Sequence, residues 1–384
     1  MSCIRMLLVS LVEIGCGTVL LFAQNAPTAN PSDSAAASTL PVAYVYIANN
    51  PSGSTYQIHG YAAGSNGKLT PIPGSPFATT ASYLAVNGKW LFATNGIDIY
   101  SYSVAANGSL KQVDALEVEP TGGLVDLFLD HSGTSLYTDY FTENNEYLAY
   151  SIDNANGKLT SINNVMGGTE IGTVASFIGN NEYAYSSSCY HFNPLIYGLQ
   201  RSSDGAITML NNNIPIPAGS PGNFYCPWLA AADTTNHVAV AMQPHDDSTW
   251  QPTGPYQLAV YTADRAGDLS TNSRFATMPE VKVGIVTEYW PSPSGKLLAV
   301  GGRLGLQVFH FNGANPITNY TGLLVSQQVD QMFWDHRNHL YAIGTKANKL
   351  WVFTITPSSH RLMATYFIHE PVGIIVQPLP LPWK

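Results

Sequence analysis

Five hairpins of one design recur down the chain, and a repeat of this kind limits the possible architectures more than any other feature. In each, an alternating strand runs into a polar turn in which a glycine precedes Leu or Ile by two positions. Ile58-His59-Gly60-Tyr61 leads to Asn66-Gly67-Lys68-Leu69, and Ile99-Tyr100-Ser101-Tyr102 leads to Asn107-Gly108-Ser109-Leu110. Tyr147-Leu148-Ala149-Tyr150 leads to Asn156-Gly157-Lys158-Leu159, Leu195-Ile196-Tyr197-Gly198 to Asp204-Gly205-Ala206-Ile207, and Leu258-Ala259-Val260-Tyr261 to Ala266-Gly267-Asp268-Leu269. Degenerate copies at Leu306-Gln307-Val308-Phe309 and Leu350-Trp351-Val352-Phe353 bring the total to seven. The turn glycines are 41, 49, 48 and 62 residues apart. A second strand pair precedes each hairpin from the second copy onward, as in Leu84-Ala85-Val86 to Trp90-Leu91-Phe92. Period-two strands, four to a unit of roughly 40–50 residues, predict an all-β fold: a seven-bladed β-propeller of four-stranded blades.

The ends of the repeat predict how the ring closes. Tyr44-Val45-Tyr46-Ile47-Ala48-Asn49 matches the second strand of a unit, and Val372-Gly373-Ile374-Ile375-Val376-Gln377-Pro378 matches an isolated first strand. The last strand should therefore complete the first blade and remove the open edges. With strands A to D numbered outward from the centre, the A–B and C–D turns share one face. The D–A and B–C loops share the other.

Ahead of the repeat, Arg5 precedes an apolar run from Met6 to Phe22 that Glu13 interrupts, followed by a Pro/Ser/Ala-rich stretch. This predicts a signal peptide over 1–23, a disordered linker over 24–41 and a single propeller over 42–384, exported to the periplasm or beyond. Glu13 also argues against a transmembrane anchor. Of four cysteines, Cys3 and Cys16 would leave with the leader, so Cys189 and Cys226 remain as a candidate disulfide in an oxidising compartment.

Charge narrows the partners. Sixteen basic residues against 25 acidic give a net charge of −9, and only 11% of the chain is charged. Without a Lys/Arg run the chain lacks the footprint that nucleic-acid binding needs. No spacing matches a zinc or calcium site, and no Walker loop, nucleophile elbow or dinucleotide fingerprint occurs, so neither cofactor nor metal is expected. Asp130-His131 and Asp335-His336 resemble acid–base pairs but fall in A–B turns, where Asp bonds nearby backbone. Asp126, Glu288 and Gln331 occupy one equivalent inner-strand position and could place polar groups around the channel.

Three strings carry a family resemblance: Tyr44 to Asn49, Gly67-Lys68-Leu69-Thr70-Pro71-Ile72-Pro73-Gly74-Ser75-Pro76-Phe77, and Pro293-Ser294-Gly295-Lys296-Leu297-Leu298. Over roughly residues 41–379 the chain resembles the lactonase-like seven-bladed propellers, to which 6-phosphogluconolactonases and carboxymuconate cyclases belong. The Pro-Gly-Ser-Pro-Phe string is typical of exported members. The resemblance implies the fold. Enzymatic members usually carry an Arg-His pair entering an inner strand, where this chain reads Tyr225-Cys226-Pro227-Trp228, so their catalytic residues do not carry over.

Long loops on the D–A and B–C face are where function is expected. They hold Asp139 and Glu143 in blade three, His191 in blade four, Tyr225 before blade five, and His245, Asp246 and Trp250 in the longest B–C loop. Aromatic rings beside acids and amides suit sugars and cyclic polyols. The expected activity is therefore binding of a small sugar or lactone, or of a protein partner, by a monomer. The alternative is a hydrolase or isomerase acting on a lactone or cyclic sugar acid through carboxylates.

Overall fold

The computed structural model describes residues 40–50, 56–79, 82–118, 123–141, 146–166, 174–189, 193–210 and 213–379. The leader and nearly all of the linker read from the sequence lie outside them. Among the described residues every regular element is a strand, and none is a helix long and apolar enough to cross a membrane. The strands form seven antiparallel sheets, each with its inner strand first in the order A-B-C-D.

Closure follows the predicted pairing. Pro371–Pro378 lies antiparallel to Ala43–Asn49 with Val45 opposite Val376 and Ile47 opposite Ile374, so the C-terminal strand is strand A of blade one. The ring has no open blade.

Burial is graded outward because each blade is covered on both faces by its neighbours. The B strands Ala43–Asn49, Trp90–Thr94, Leu297–Gly302 and His339–Gly344 are buried at every position, which explains their near-continuous apolar sequence. Strand D of blade seven, Ser359–Phe367, is mostly exposed. Polar bonds then tie one blade to the next. The hydroxyl of Tyr46 donates to the Gly108 carbonyl at 2.8 Å, that of Tyr137 to Gly205 at 2.9 Å, and that of Tyr185 to Gly267 at 2.7 Å. The repeated turn glycine has its own physical reason. Gly267 has φ +83°, and a Cβ there would stand 2.6 Å from the Tyr183 ring of the preceding blade. Both the left-handed backbone and the close approach exclude a side chain.

The two Asp-His pairs are turn devices, as the sequence indicated. Asp130 accepts from the Thr134 and Ser135 amides at 3.0 and 2.9 Å and pairs with Arg201 of the next blade at 2.9 Å. Asp335 accepts from the Arg337 and His339 amides, from the His339 imidazole at 2.7 Å and from the Tyr341 hydroxyl at 3.0 Å.

Blade five departs from the sequence reading. Its strands A and B run Asn223–Ala232 and His237–Asp246, pairing from Ala232 opposite Val238 out to Asn223 opposite Asp246. Tyr225, Cys226, His245 and Asp246 are therefore strand residues, where loops were expected. The prolines misled, since Pro is a loop signal along a sequence. Pro227 is tolerated because the register shifts between it and Ala230, as Pro requires within a sheet.

Cys189, just past strand B of blade four, is joined to Cys226 of blade five as a disulfide with Cα atoms 5.3 Å apart. The bridge closes a separation of 37 residues. Loop-closure entropy for a segment of that size is about 3–4 kcal/mol. Thiol reduction, or a Cys189→Ser/Cys226→Ser double variant, is expected to lower the melting temperature by several degrees in calorimetry. An unchanged transition would show that the bridge does not constrain the unfolded chain.

Candidate functional site

The inner strands surround a cavity of about 420 Å³ along the ring axis, and all seven blades line it. It runs from the level of Gln331 and Val174 to Asp130 and His131 in the A–B turn of blade three. Most of its wall is apolar, including Leu127, Phe128, Phe177, Trp290, Phe333 and Ile375.

Three of its polar groups come from one layer. Asp126, Glu288 and Gln331 each stand three residues before the end of their inner strands, Gly123–Leu129, Val286–Pro291 and Gln331–Trp334. The same level carries Val174 in blade four and Leu229 in blade five. Blades three and six are nearly opposite in a seven-membered ring, so Asp126 and Glu288 face each other across the channel. Gln331 is held by its neighbour: its Oε1 accepts from the Ile374 amide at 2.9 Å.

A second carboxylate joins the layer from strand B. Asp139 lies directly opposite Asp126 in the antiparallel register, with an irregularity immediately after it. Residues so paired have Cβ atoms about 5 Å apart, and like charges there repel. Asp139 is 4% exposed, and its Oδ1 has no hydrogen-bond partner among the described residues.

Burial in an apolar tube shifts three acids toward their protonated forms. Burial pushes the Asp126 carboxyl up to about 7, against a smaller downward pull from the Leu127 amide 2.8 Å from Oδ1. Asp139 is likewise pushed up to about 7, by burial and then by the charge of Asp126. Glu288 is raised well above the ordinary range by burial and then by Asp126, which the Tyr289 amide and Trp290 indole only partly offset. At the A–B end, burial lowers the His131 imidazole and favours its neutral form.

Of the five loop-face candidates among the described residues, the cavity gathers only Asp139. Tyr225 is fully buried with its hydroxyl donating to Gln257, and the His245 ring lies against Phe224 with centroids 5.7 Å apart. Asp246 caps its own turn, accepting from the Ser248 and Thr249 amides and hydroxyls, which hold its carboxyl down to about 2. Trp250 is half-exposed at the tip of that turn and donates to the Asp247 carbonyl. Glu143 and His191 lie outside the described residues. No group of three His, Cys, Asp or Glu among the described residues could hold a metal.

The fold and its axial cavity define a closed seven-bladed β-propeller whose largely apolar channel holds three carboxyls. No family model matches the chain, and no curated protein matches it in sequence. Solved structures do match the fold. A candidate 6-phosphogluconolactonase from Bacteroides uniformis superposes with a TM-score of 0.66 at 13% identity, covering 87% of this chain and 99% of that one. A second, from Bacteroides fragilis, gives 0.64 at 13% identity over 87% and 97%. A periplasmic gluconolactonase from Pseudomonas aeruginosa gives 0.64 at 12% identity over 88% and 99%. The chain thus has the fold of the lactonase-like propellers. At such identities the likeness is one of fold.

Proposed function

We propose that this is an exported lactonase-like propeller that binds a small sugar or lactone in its axial channel rather than on the rim loops. The observation that carries the reading is the Asp126–Asp139 pair, set opposite each other in a largely apolar cavity lined by every blade. A concave site with a few converging polar groups and displaced titrations is the usual mark of ligand binding. Export is supported by the apolar run from Met6 to Phe22, by a disulfide of the kind that persists in oxidising compartments, and by likeness to a periplasmic gluconolactonase.

The same pair favours hydrolysis of a lactone as a second reading. Two coupled carboxyls that titrate near neutrality can divide the labour, one ionised and one protonated. The ionised group would take a proton from water as its oxygen attacks the lactone carbonyl. The protonated group would then deliver its proton to the departing ring oxygen.

The test is a library of sugars and lactones screened for both binding and turnover. Binding that Asp126→Asn and Asp139→Asn abolish, without loss of the melting transition, is the expected result. Binding that survives both substitutions but falls on changing Trp250 would return the site to the rim.

A further inference from the structure

The channel wall carries carboxyl groups but no side-chain cation among the described residues, and its donors, such as the Trp290 indole and the Gln331 amide, are neutral. The Thr287 hydroxyl donates to the Val329 carbonyl at 2.6 Å, and Ser176 Oγ and Gln331 Oε1 accept from backbone amides at 2.9 Å each. The charged groups that line the cavity at this level are the carboxyls of Asp126, Asp139 and Glu288, with Asp139 Oδ1 buried and without a hydrogen-bond partner among the described residues. No lysine or arginine among the described residues lines the cavity. The wall also presents the Trp290 and Phe333 rings, with centroids 4.7 Å apart, and aromatic faces attract cations.

An anionic ligand would meet three acids and no compensating cation. A neutral ring would leave the Asp126–Asp139 repulsion unrelieved. An ammonium group supplies several donors and one positive charge, which is the complement of what the channel offers. Resting on the channel-binding reading above, we propose that the ligand carries such a group: an amino sugar or similar cyclic amine, and not a phosphorylated or acidic sugar.

The proposal makes binding proton-linked. The groups around Asp126 are Tyr83 of blade two, Asp139 and His131 of blade three, and Glu288 of blade six, while Tyr147 neighbours Asp139 and Tyr289 neighbours Glu288. An ammonium within about 4–6 Å favours ionised carboxylates, so its arrival should release protons. Affinity should therefore increase between about pH 5.5 and pH 7, where the carboxyls ionise and the amine keeps its charge.

Isothermal titration of the full chain with glucosamine, glucose and glucuronic acid tests this directly. Glucosamine is expected to bind about tenfold or more tightly than glucose near pH 7, with proton release visible as a buffer-dependent heat. That advantage should shrink near pH 5.5 and in Asp126→Asn and Glu288→Gln, each checked for an intact melting transition. Glucose binding as well as glucosamine, or glucuronic acid binding best, would overturn the ammonium assignment and leave the channel reading standing. Failure of all three rings to bind would remove the channel reading together with it.

Discussion

Ending the chain after Glu370 should abolish the folded ring. The deletion removes strand A of blade one, of which Ile374, Val376 and Gln377 are at most 5% exposed and Ile375 is 8% exposed. Burying an Ile or Val side chain contributes about 1.5–3 kcal/mol, so the three buried branched aliphatics Ile374, Ile375 and Val376 represent roughly 4.5–9 kcal/mol. Whole-domain stability is typically about 5–15 kcal/mol. The loss also exposes the edge of Ala43–Asn49, whose seven residues pair with the missing strand. It spreads further because Tyr44 and Tyr46 of that strand anchor the Ala106 and Gly108 turn of blade two. A graded version, Ile374→Ala, should cost about 2–5 kcal/mol, since Ile374 is 1% exposed and sits in a closed core. Thermal melting and size-exclusion chromatography are the measurements. A truncated chain that stays monomeric with the parent melting temperature would mean that the first blade does not need its inner strand.

That closing pair was legible in the sequence because both halves are apolar runs without partners of their own, so each lacked what the other supplies. The turn glycines were legible for a related reason. Gly157 and Gly267 answer a demand that is local, a left-handed backbone, and another that is periodic, a ring from the preceding blade 2.6 Å from any Cβ. The site was harder to read. Strand order assigns Asp126, Glu288 and Gln331 to one layer, but it gives no account of Asp139, whose place follows from register across a hairpin. The sequence marked Asp139 as part of a loop. The structure instead puts it in strand Ser135–Phe141, where its carboxyl meets that of Asp126. Loop length likewise pointed to His245 and Asp246, and there the signal was an elongated hairpin with prolines in it. Propensity sees the proline; it does not see the bulge that accommodates it.

Replacing Asp126 by Asn should make the protein more stable near neutral pH. The folded Asp126 carboxyl titrates at about 7 against an ordinary value of 3.8, and so does that of Asp139. The folded state therefore holds protons that the unfolded chain has already released. Stability linked to these groups is fully present below about pH 4 and is lost as pH rises through about 7. For one carboxyl the displacement corresponds to as much as about 4 kcal/mol. An asparagine has almost the same volume, cannot ionise, and removes the charge that raises Asp139 and Glu288. Melting temperature followed across pH should fall from acid to neutral for the parent more steeply than for Asp126→Asn, and the variant should melt higher by several degrees near pH 8. Proteins keep destabilising groups at sites of function and tolerate them because the rest of the fold is consistent. Here that consistency is the closed ring, which holds two carboxyls opposite one another against their repulsion. Were Asp126→Asn to melt lower than the parent at neutral pH, the pair would be a structural hydrogen-bonding element, and the argument for a ligand in the channel would lose its main support.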